Sequence, residues 1–377
     1  MNGLDREEFV DRTRRAQNAM AERGFAGLLL TTEPDVRYFT GFLTRFWESP
    51  TRPWFVIVPA AGDPVAVIPA IGAALMARGW IDDIRTWRAP DLADDGVNLL
   101  IATLQELCPG PVAIPMGHET HLRMPIADFE KLRGTCEIVA DARLMRGLRL
   151  IKSEAEIDLI RLACQVANRA FDRVPEIARA GVSLAEVFRH FQILCLQEGA
   201  DWVPYLAGGA GPDGYDDVIS PATEAPLRAG DVLMLDTGLV RQGYFCDFDR
   251  NFSVGPTSEL AAGAHSKLID ATAAAMDIAR PGITTAELFH AMDKVLTGGA
   301  GGSDAGRFGH GLGMQLTEAP SLIPGDHTVL QPGMVLTLEP GIATRDGRML
   351  VHEENIVIRD AQAEYLSRPA ERRMTEL

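Results

Sequence analysis

Residues 230–255, GDVLMLDTGLVRQGYFCDFDRNFSVG, are the stretch of this sequence that decides the fold. Two largely apolar runs flank the triplet Arg241-Gln242-Gly243, and this arrangement predicts a β-hairpin. Each run carries a carboxylate where a strand should be buried, because Asp236 ends the first run and Asp247 interrupts the second. A buried carboxylate must be paired, protonated or bound to a metal. Hairpin pairing brings residues of neighbouring strands within about 5 Å, so we expect both carboxylates to reach one site.

Three further candidate ligands follow downstream of the hairpin. His310 lies between glycines, Glu339 follows an apolar run, and Glu354 precedes another. Four clustered carboxylates would repel one another, and two divalent cations would balance their charge. Carboxylates and one imidazole suit Mn²⁺, Fe²⁺, Co²⁺ or Zn²⁺, and the sequence does not select among these ions. The sequence therefore predicts a two-metal site with the ligands Asp236, Asp247, His310, Glu339 and Glu354.

Length and composition narrow the class of protein. A chain of 377 residues is longer than one hydrophobic core usually serves, so two domains are expected. The net charge of −16 argues against nucleic acid or an anionic membrane as the main partner. The amino terminus lacks the apolar core of a secretory signal, and the odd number of cysteines, 5, fits reduced thiols. These features favour a cytoplasmic enzyme that acts on a small molecule or a short peptide.

Hydrophobic periodicity predicts an α/β domain at 1–147 and an α+β domain at 148–377. Ser153 and Glu156 have the spacing of a capping box that starts the first helix of the second domain. The glycine-rich segment 208–212 is interpreted as a loop that lines the substrate pocket. The predicted strands that hold the candidate ligands are 231–237, 243–254, 334–342 and 350–358.

The ligand motifs together resemble the pita-bread metallohydrolases, a family that includes aminopeptidase P, prolidase, methionine aminopeptidase and creatinase. The matching segments are 230–238, 243–252, His-Gly-x-Gly at 310, Leu-Glu-Pro-Gly at 338 and Glu-Glu-Asn at 353. Residues 148–157 resemble the entry to the family's catalytic domain, and residues 38–42 resemble the amino-terminal domain of its creatinase, prolidase and aminopeptidase P branch. The resemblance implies a pita-bread catalytic domain preceded by a smaller creatinase-like α/β domain.

The resemblance also implies roles for individual residues. It places the last ligand at Glu354 rather than Glu353, because the family has Asp or Asn directly after that ligand. Asp236 and Glu354 would bridge two metal ions, Asp247 would complete one ion, and His310 with Glu339 would complete the other. Glu339 would also carry protons during the reaction. In this branch the partner of a homodimer often closes the active site, which makes Arg45 and Trp47 candidates for contact with substrate in trans.

Several positions depart from the family pattern. Thr317 stands where the peptidases carry a histidine, and no histidine lies between Tyr205 and Asp236, where they carry another. A hydroxyl cannot supply the positive charge of an imidazolium. Asp249 replaces the usual Thr, and period two places it on the strand face of Asp247. His352 shares a strand face with Glu354. Thr317, Asp249 and His352 are therefore candidates for contact with the substrate or the metal ligands, and the alternative for Asp249 is a salt bridge with a neighbouring arginine.

Three hypotheses follow for the function. The first is a dinuclear metal-dependent hydrolase that activates a bridging water and cleaves Xaa-Pro peptides, as aminopeptidase P and prolidase do. The second is a non-peptidase relative, either an amidine hydrolase similar to creatinase or ectoine hydrolase or an enzyme similar to the dimethylsulfoniopropionate lyases. The third is an inactive binding module.

Overall fold

The computed structural model describes residues 3–49, 52–302 and 306–377. Contacts between residues divide the chain into two compact units, 1–149 and 150–377. Ser153 caps the helix that follows this division, and the reciprocal hydrogen bonds of the predicted capping box with Glu156 are both present. None of the helices in the described ranges is long and apolar enough to cross a membrane.

The α-helices carry most of their apolar residues on buried faces. In chain order the helices are α1 Arg6–Arg23, α2 Glu33–Thr40, α3 Ala73–Met76, α4 Val97–Leu107, α5 Ile126–Arg133, α6 Leu144–Leu150, α7 Glu154–Asp172, α8 Leu184–Gln197, α9 Glu259–Ile278 and α10 Thr285–Thr297. In the described part of the chain, 3₁₀ turns also occur at Arg45–Glu48, Ala70–Gly72 and Val174–Glu176.

The β-strands are short in the first unit, and the longest strands lie in the second unit. In chain order the strands are β1 Gly27–Leu30, β2 Phe55–Pro59, β3 Val65–Pro69, β4 Ile84–Trp87, β5 Val112–Ile114, β6 Ile138–Ala140, β7 Trp202–Pro212, β8 Asp231–Arg241, β9 Tyr244–Phe245, β10 Phe248–Ser253, β11 His310–Gly311, β12 Glu318–Ser321, β13 Val335–Leu338, β14 Gly341–Ala343, β15 Met349–Val351, β16 Glu354–Val357, β17 Glu364–Tyr365 and β18 Thr375–Glu376.

The first unit contains one mixed sheet with the strand order β4-β3-β2-β1-β5-β6. Strands β1 to β3 pair antiparallel, whereas β4, β5 and β6 join in parallel. The strands β1, β2, β3 and β5 are buried along their length, as their continuous apolar sequences indicate. Helix α4 contributes Leu100 and Leu104 to the core beneath this sheet. The alternation of strands and helices makes this unit an α/β domain.

The described residues of the second unit form two five-stranded sheets and a two-stranded ribbon. One sheet has the order β18-β10-β8-β7, with β9 paired to β8, and the other has the order β12-β11-β13-β16-β17. Helices α9 and α10 pack on an apolar core that includes Leu268, Phe289, Leu336 and Ile356. Strands from both sheets contribute to this core, which places their ligand-bearing ends close together. The second unit is therefore the predicted α+β domain.

The predicted hairpin is present at the turn between β8 and β9. Gln242 and Gly243 have φ values of 50° and 84°, and two consecutive positive φ values are typical of the two-residue type I′ turn. Residue numbers of paired positions keep a constant sum from Val240↔Phe245 to Asp249↔Asp236, so one register runs through the hairpin. This register carries the acidic residues of β8 and β10 to the same face.

The segment 208–212 is a strand and not the loop that the sequence suggested. It forms the end of β7, which pairs with β8 from Trp202↔Val240 to Pro212↔Asp231. A Cβ atom on Gly208 would lie 2.1 Å from the carbonyl oxygen of Met234, so the glycine permits the close approach of the two strands. The glycines that suggested a loop are therefore needed for tight packing of the sheet.

Candidate metal centre

The candidate site lies where ends of the two sheets of the second unit meet. Strand β8 carries Asp236, and Asp247 lies between β9 and β10. His310 begins β11, Glu339 follows β13, and Glu353 precedes β16. The backbone register holds Asp236 opposite Asp249 of β10. Each candidate ligand is thus attached to a paired strand or to the residue next to one, which fixes its backbone.

Three buried side chains form the inner part of the site. One donor atom from each of Asp247, His310 and Glu353 lies within 4.8 Å of the other two. His310 Nε2 is 3.4 Å from Asp247 Oδ2 and 3.6 Å from Glu339 Oε2. Glu339 and Asp236 are only partly buried, and they form the accessible side of the cluster. The arrangement leaves buried donors on one side and an opening towards solvent on the other.

Two hydrogen bonds fix the orientation of His310. Its Nδ1 lies 2.9 Å from the carbonyl oxygen of Gly311, and its backbone N–H donates to the hydroxyl of Thr337 at 3.0 Å. A proton on Nδ1 that donates to this carbonyl leaves the Nε2 lone pair directed towards the carboxylates. Burial opposes protonation, but the hydrogen bond to Asp247 and the charge of Glu339 raise the pKa of His310 above its usual value.

Asn355 holds the backbone of Asp247 in place. The N–H of Asp247 donates to Asn355 Oδ1 at 2.9 Å, and Asn355 Nδ2 donates to the carbonyl oxygen of Asp247. Asn355 is completely buried, and its Oδ1 also accepts from the thiol of Cys164. This pair of amide contacts links β16 to the chain between β9 and β10. The backbone of Asp247 is therefore held by a residue on the other sheet.

The electrostatics of the cluster fit a site for divalent cations. Within the described residues, Asp236 Oδ1, Asp249 Oδ2 and Glu353 Oε1 are buried oxygens without a hydrogen-bond partner. Burial and the neighbouring carboxylates raise the pKa of Asp236 and of Glu353 well above its ordinary value. Burial raises the pKa of Asp247 to about 6. Unpartnered carboxylate oxygens at such short range require protons or cations to balance their charge.

The position of Glu354 corrects the ligand set that the sequence suggested. Its Oε2 pairs with Arg250 at 3.2 Å and accepts from the hydroxyl of Ser367, and its Oε1 accepts from the N–H of Ala370 at 2.8 Å. Although burial opposes ionisation, Arg250 and His352 lower the pKa of Glu354 to about 2. Adjacent residues of a strand point to opposite faces, so Glu353 takes the place beside Asp247 and His310, and Glu354 does not.

Asp249 lies against the candidate ligands Asp236 and Glu353, and His352 contacts Asp249 and Glu354. Asp249 Oδ1 is 3.3 Å from His352 Nδ1 and accepts from the N–H of Glu353 at 3.0 Å. His352 Nε2 is 3.3 Å from Glu354 Oε1, as their shared strand face predicted. Burial works against protonation, yet the two carboxylates raise the pKa of His352 to about 9. A protonated His352 thus links the carboxylates of Asp249 and Glu354.

The other residues that the sequence suggested as substrate contacts, Thr317, Trp47 and Arg45, differ in their burial. Thr317 is partly buried in the bend before β12. Within the first unit, Trp47 is buried against Trp54, with ring centroids 5.8 Å apart, and Arg123 covers its ring. Arg45 is exposed and pairs with Glu48. Trp47 is therefore a packing residue, whereas Arg45 remains accessible.

Sequence reasoning missed three residues that contact the site. Tyr205 donates its hydroxyl to Asp236 Oδ2 at 3.0 Å, and Arg307 Nε bonds Glu339 Oε1 at 3.2 Å. Asn355 holds Asp247 as described above. The only signal for Asn355 was its place directly after the acidic pair in the apolar run. Tyr205 and Arg307 lie far from their partners in sequence, so only the pairing of the strands brings them to the site.

Comparison with known proteins identifies both parts of the chain. Residues 158–360 match the model of metallopeptidase family M24, and residues 12–151 match the creatinase/prolidase N-terminal domain. The chain belongs to metallopeptidase family M24. A probable dipeptidase PepE from Mycobacterium tuberculosis is 31% identical over 368 residues, which cover 94% of this chain and 93% of the relative. This M24 chain is therefore a metal-dependent hydrolase with a creatinase-like N-terminal domain.

Other relatives agree with this assignment. A Xaa-Pro dipeptidase from Pyrococcus horikoshii is 32% identical over 229 residues, covering 58% of this chain and 64% of the relative. The crystal structure of dipeptidase PepE from Mycobacterium ulcerans superposes with a TM-score of 0.84 at 27% identity and covers 99% of both chains. A prolidase structure from Thermococcus sibiricus, with a TM-score of 0.86, 24% identity and coverage of 99% and 100%, shows the same fold. The pita-bread fold predicted for the second domain of this M24 chain is confirmed.

Proposed function

We propose that this M24 enzyme is a dinuclear metallopeptidase that hydrolyses short peptides, with Xaa-Pro dipeptides as the leading substrates. The observation that carries the proposal is the group of buried, unpartnered carboxylate oxygens of Asp236 and Glu353 beside Asp247 and His310. The substrate class is supported by relatives that are named dipeptidase PepE and Xaa-Pro dipeptidase.

The proposed ligands of the two ions are Asp236, Asp247, His310, Glu339 and Glu353. Bound divalent ions would lower the pKa of a water molecule and polarise the peptide carbonyl. The donor set of four carboxylates and one imidazole suits Mn²⁺, Fe²⁺, Co²⁺ or Zn²⁺, and Mn²⁺ is the first ion to test.

Residues of the chain would carry out the other steps of the reaction. Glu339 is half-buried between His310 and Arg307, where its carboxylate can take a proton from the attacking water and return it to the leaving amine. Burial and the charges of Asp236 and Asp247 raise the pKa of Tyr205, so its hydroxyl stays protonated and able to donate. Tyr205 is therefore a neutral donor at the accessible side of the centre.

Arg307 is a candidate to bind the free carboxylate of a dipeptide substrate. Its Nε holds Glu339, whereas neither of its terminal nitrogens has a partner within the described residues, and its side chain is 39% exposed. A guanidinium fork matches the two oxygens of a carboxylate. In a dipeptide the free carboxylate lies about one residue, or roughly 3.5 Å, beyond the scissile carbonyl. An arginine that touches a proposed metal ligand is at a suitable distance to bind it.

A second candidate function is supported by the absence of the expected imidazoles. Thr317 occupies one of their positions, and the segment 218–221, which matches the region of the other, has no histidine and includes Ile219, which is 83% exposed. A site without these two donors would suit a substrate whose transition state needs less oxyanion stabilisation, such as a small amidine or a sulfonium metabolite. The third hypothesis, an inactive binding module, is opposed by the retention of the complete donor set.

We also propose that the enzyme is a cytoplasmic homodimer, as its free cysteines and its family resemblance suggest. In that assembly Arg45 of one protomer is the candidate for contact with substrate in the other. Size-exclusion chromatography with light scattering, followed by kinetics of Arg45→Ala, tests both statements. A monomer with full activity would contradict them.

Peptide cleavage by metal-loaded enzyme tests the proposed function. The metal-free protein is loaded with Mn²⁺, Co²⁺, Fe²⁺ or Zn²⁺ and incubated with Xaa-Pro dipeptides, dipeptides without proline and Xaa-Pro tripeptides. We expect metal-dependent release of free amino acids from Xaa-Pro dipeptides, and its loss in Glu353→Gln. If none of the peptides is cleaved while amidines or sulfonium metabolites are consumed, the second function replaces the first. Less than one bound ion after reconstitution would favour the inactive module.

A further inference from the structure

We propose that Asp249 is an additional carboxylate of the metal centre, which donates its Oδ2 to a divalent cation that Asp236 and Glu353 also bind. The inference rests on the proposed two-metal function. Asp249 stands where the family resemblance leads one to expect threonine, a residue that brings no charge. An acidic residue at this position thus changes the donor set of this chain.

The backbone places Asp249 directly beside a proposed ligand. Asp249 and Asp236 are paired residues on β10 and β8, and directly paired residues have Cβ atoms about 4.5–5.5 Å apart. Asp249 is completely buried, so water from bulk solvent does not compensate its charge. The two carboxylates therefore share one strand face at the centre.

The two oxygens of Asp249 have different surroundings. Oδ1 accepts from the N–H of Glu353 at 3.0 Å and pairs with His352 Nδ1 at 3.3 Å. These two contacts fix the orientation of the carboxylate. Oδ2 is buried and has no partner among the described residues, although the rest of the group is well anchored. Leaving such an oxygen unpartnered is costly unless a ligand satisfies it.

The unpartnered oxygen belongs to a group of three. Asp236 Oδ1 and Glu353 Oε1 are also buried without partners within the described residues. Asp249 is paired with Asp236 across β10 and β8, and its Oδ1 accepts from the N–H of Glu353 at 3.0 Å. The three carboxylates are thus close enough to repel one another, and a shared cation relieves that repulsion for all three at once.

A purely structural role for Asp249 does not explain why its Oδ2 is buried without a partner among the described residues. Arg250, the neighbouring cation, donates to the backbone carbonyl of Asp249 and to the carboxylate of Glu354. His352 contacts only Oδ1. Both structural contacts of the side chain would survive in Asp249→Asn, because the amide oxygen can still accept, whereas the negative charge would be lost. The variant therefore separates the two roles.

The extra carboxylate should also affect the choice of metal. With Asp249 the centre holds five carboxylates against one imidazole, namely Asp236, Asp247, Asp249, Glu339 and Glu353 with His310. Carboxylate-rich donor sets suit Mn²⁺, whereas imidazole and thiolate favour softer ions such as Zn²⁺. Removing Asp249 is expected to weaken Mn²⁺ binding more than Zn²⁺ binding.

Metal titration of the full-length protein tests the inference. Metal-free wild type, Asp249→Asn and Asp249→Thr are titrated with Mn²⁺ by calorimetry and by electron paramagnetic resonance, and each is melted with and without Mn²⁺. Asp293→Asn is the matched control, because Asp293 is a buried aspartate in α10 whose oxygens accept from Thr297 and Gly301. We expect both Asp249 variants to bind at least one ion about 10–100-fold more weakly, while the control binds like wild type.

The melting data distinguish a ligand from a structural residue. If Asp249 is a ligand, Asp249→Asn without metal melts at or above the wild-type temperature, since repulsion is relieved, and gains less on addition of Mn²⁺. Unchanged Mn²⁺ affinity in both variants, with a lower melting temperature of the metal-free protein, would overturn the inference. Wild type that binds fewer than two ions would refute the two-metal function itself, which is a separate result.

A diffraction structure of the Mn²⁺-loaded wild type gives a test without any variant. An ion within about 2.0–2.6 Å of Asp249 Oδ2, the range of hard cations and carboxylate oxygens, is expected. Two ions bound at the centre with Asp249 Oδ2 beyond contact of both would reject the assignment.

Discussion

Glu353 and Glu354 are neighbours in the sequence with opposite electrostatic surroundings. Arg250 and His352 lower the pKa of Glu354 to about 2 against the effect of burial. For Glu353, burial and nearby carboxylates raise the pKa well above its ordinary value. The difference arises because successive side chains of an extended strand point to opposite faces. One face meets cations of the chain, and the other meets the carboxylates of the metal centre.

Two single substitutions should separate these roles. Glu353→Gln is expected to lose at least one bound ion and to reduce kcat/KM by 10²-fold or more, without loss of stability, because it removes a repelling charge. Glu354→Gln leaves Arg250 and His352 without their carboxylate, and breaking such a buried pair costs about 3–5 kcal/mol. Its folded fraction should keep both ions. Elemental analysis and chemical denaturation measure the two properties.

The reverse pattern would contradict this assignment. If Glu354→Gln lost the metal at unchanged stability while Glu353→Gln kept it, Glu354 would be the ligand, as the resemblance in sequence first suggested. Asp360→Asn, at an exposed position beyond β16, is a control for the handling of the protein.

Arg307 should control the preference for a free carboxylate. Arg307→Gln is expected to raise KM for a Xaa-Pro dipeptide about tenfold or more, since a charge-assisted hydrogen-bond pair is lost. The same dipeptide with an amidated carboxyl end should be cleaved slowly by wild type and be little affected by the substitution. Arg307→Lys should restore part of the affinity. Steady-state kinetics on the two substrates make the comparison.

An equal loss on both substrates would show that Arg307 acts through Glu339 and not on the substrate. In that case the change would appear in kcat rather than in KM, because the Arg307–Glu339 contact orients a catalytic group.

At the scale of elements, sequence patterns correctly predicted the structural features that depend only on residues close together in the chain. The hairpin of β8 and β9 has a turn signal between two apolar runs and a single register, so Asp236 and Asp247 could be placed near one another from the sequence. The capping box at Ser153 is equally local. Strand β7 was missed because its glycines indicate a loop, although they allow close packing against β8. That requirement exists only in the assembled sheet.

The same dependence on contacts between distant segments determined which residues of the candidate site the sequence could reveal. The sequence predictions of Asp236, Asp247 and Glu339 depend on apolar runs that each residue ends or interrupts, and that of His310 depends on its flanking glycines. The choice between Glu353 and Glu354 depended on where Arg250 lies, and this is set by pairing between distant segments. Contacts between elements, rather than propensities within them, decided the residues that the sequence did not reveal.

The link between β16 and the β9–β10 segment should determine the position of Asp247. Asn355→Ala leaves the buried N–H and carbonyl of Asp247 without their amide partner, and each lost partner costs about 1–3 kcal/mol. We expect lower stability and also weaker Mn²⁺ binding. Asn251→Ala is the matched control, because Asn251 is a buried asparagine that bonds Val351 and does not hold a proposed ligand. The control should lose stability at unchanged metal affinity, and equal effects of both variants on affinity would refute the role of Asn355.

At the scale of the whole chain, the metal centre adds a local concentration of negative charge to a protein of net charge −16. Several carboxyl groups of this cluster hold their protons more tightly than ordinary acids do. The folded-state pKa of Asp247 is about 6, and the pKa values of Asp236 and Glu353 are raised as well. Protons and metal ions therefore compete for the same oxygens. This competition links the stability of the catalytic domain to both pH and metal.

Removal of metal should make the enzyme less stable as pH rises. An acid whose folded pKa is raised binds its proton more tightly in the folded state, so its contribution to stability is present below the unfolded pKa and is lost as pH rises through the folded pKa. The raised pKa of His310 acts in the same direction. The melting temperature of chelator-treated protein should thus fall by several degrees between pH 5 and pH 8, and the gain from added Mn²⁺ should be larger at pH 8. Asp236→Asn, which lacks one of the acids, should show a shallower decline, and a metal-free melting temperature that rises across this range would contradict the proposed cluster.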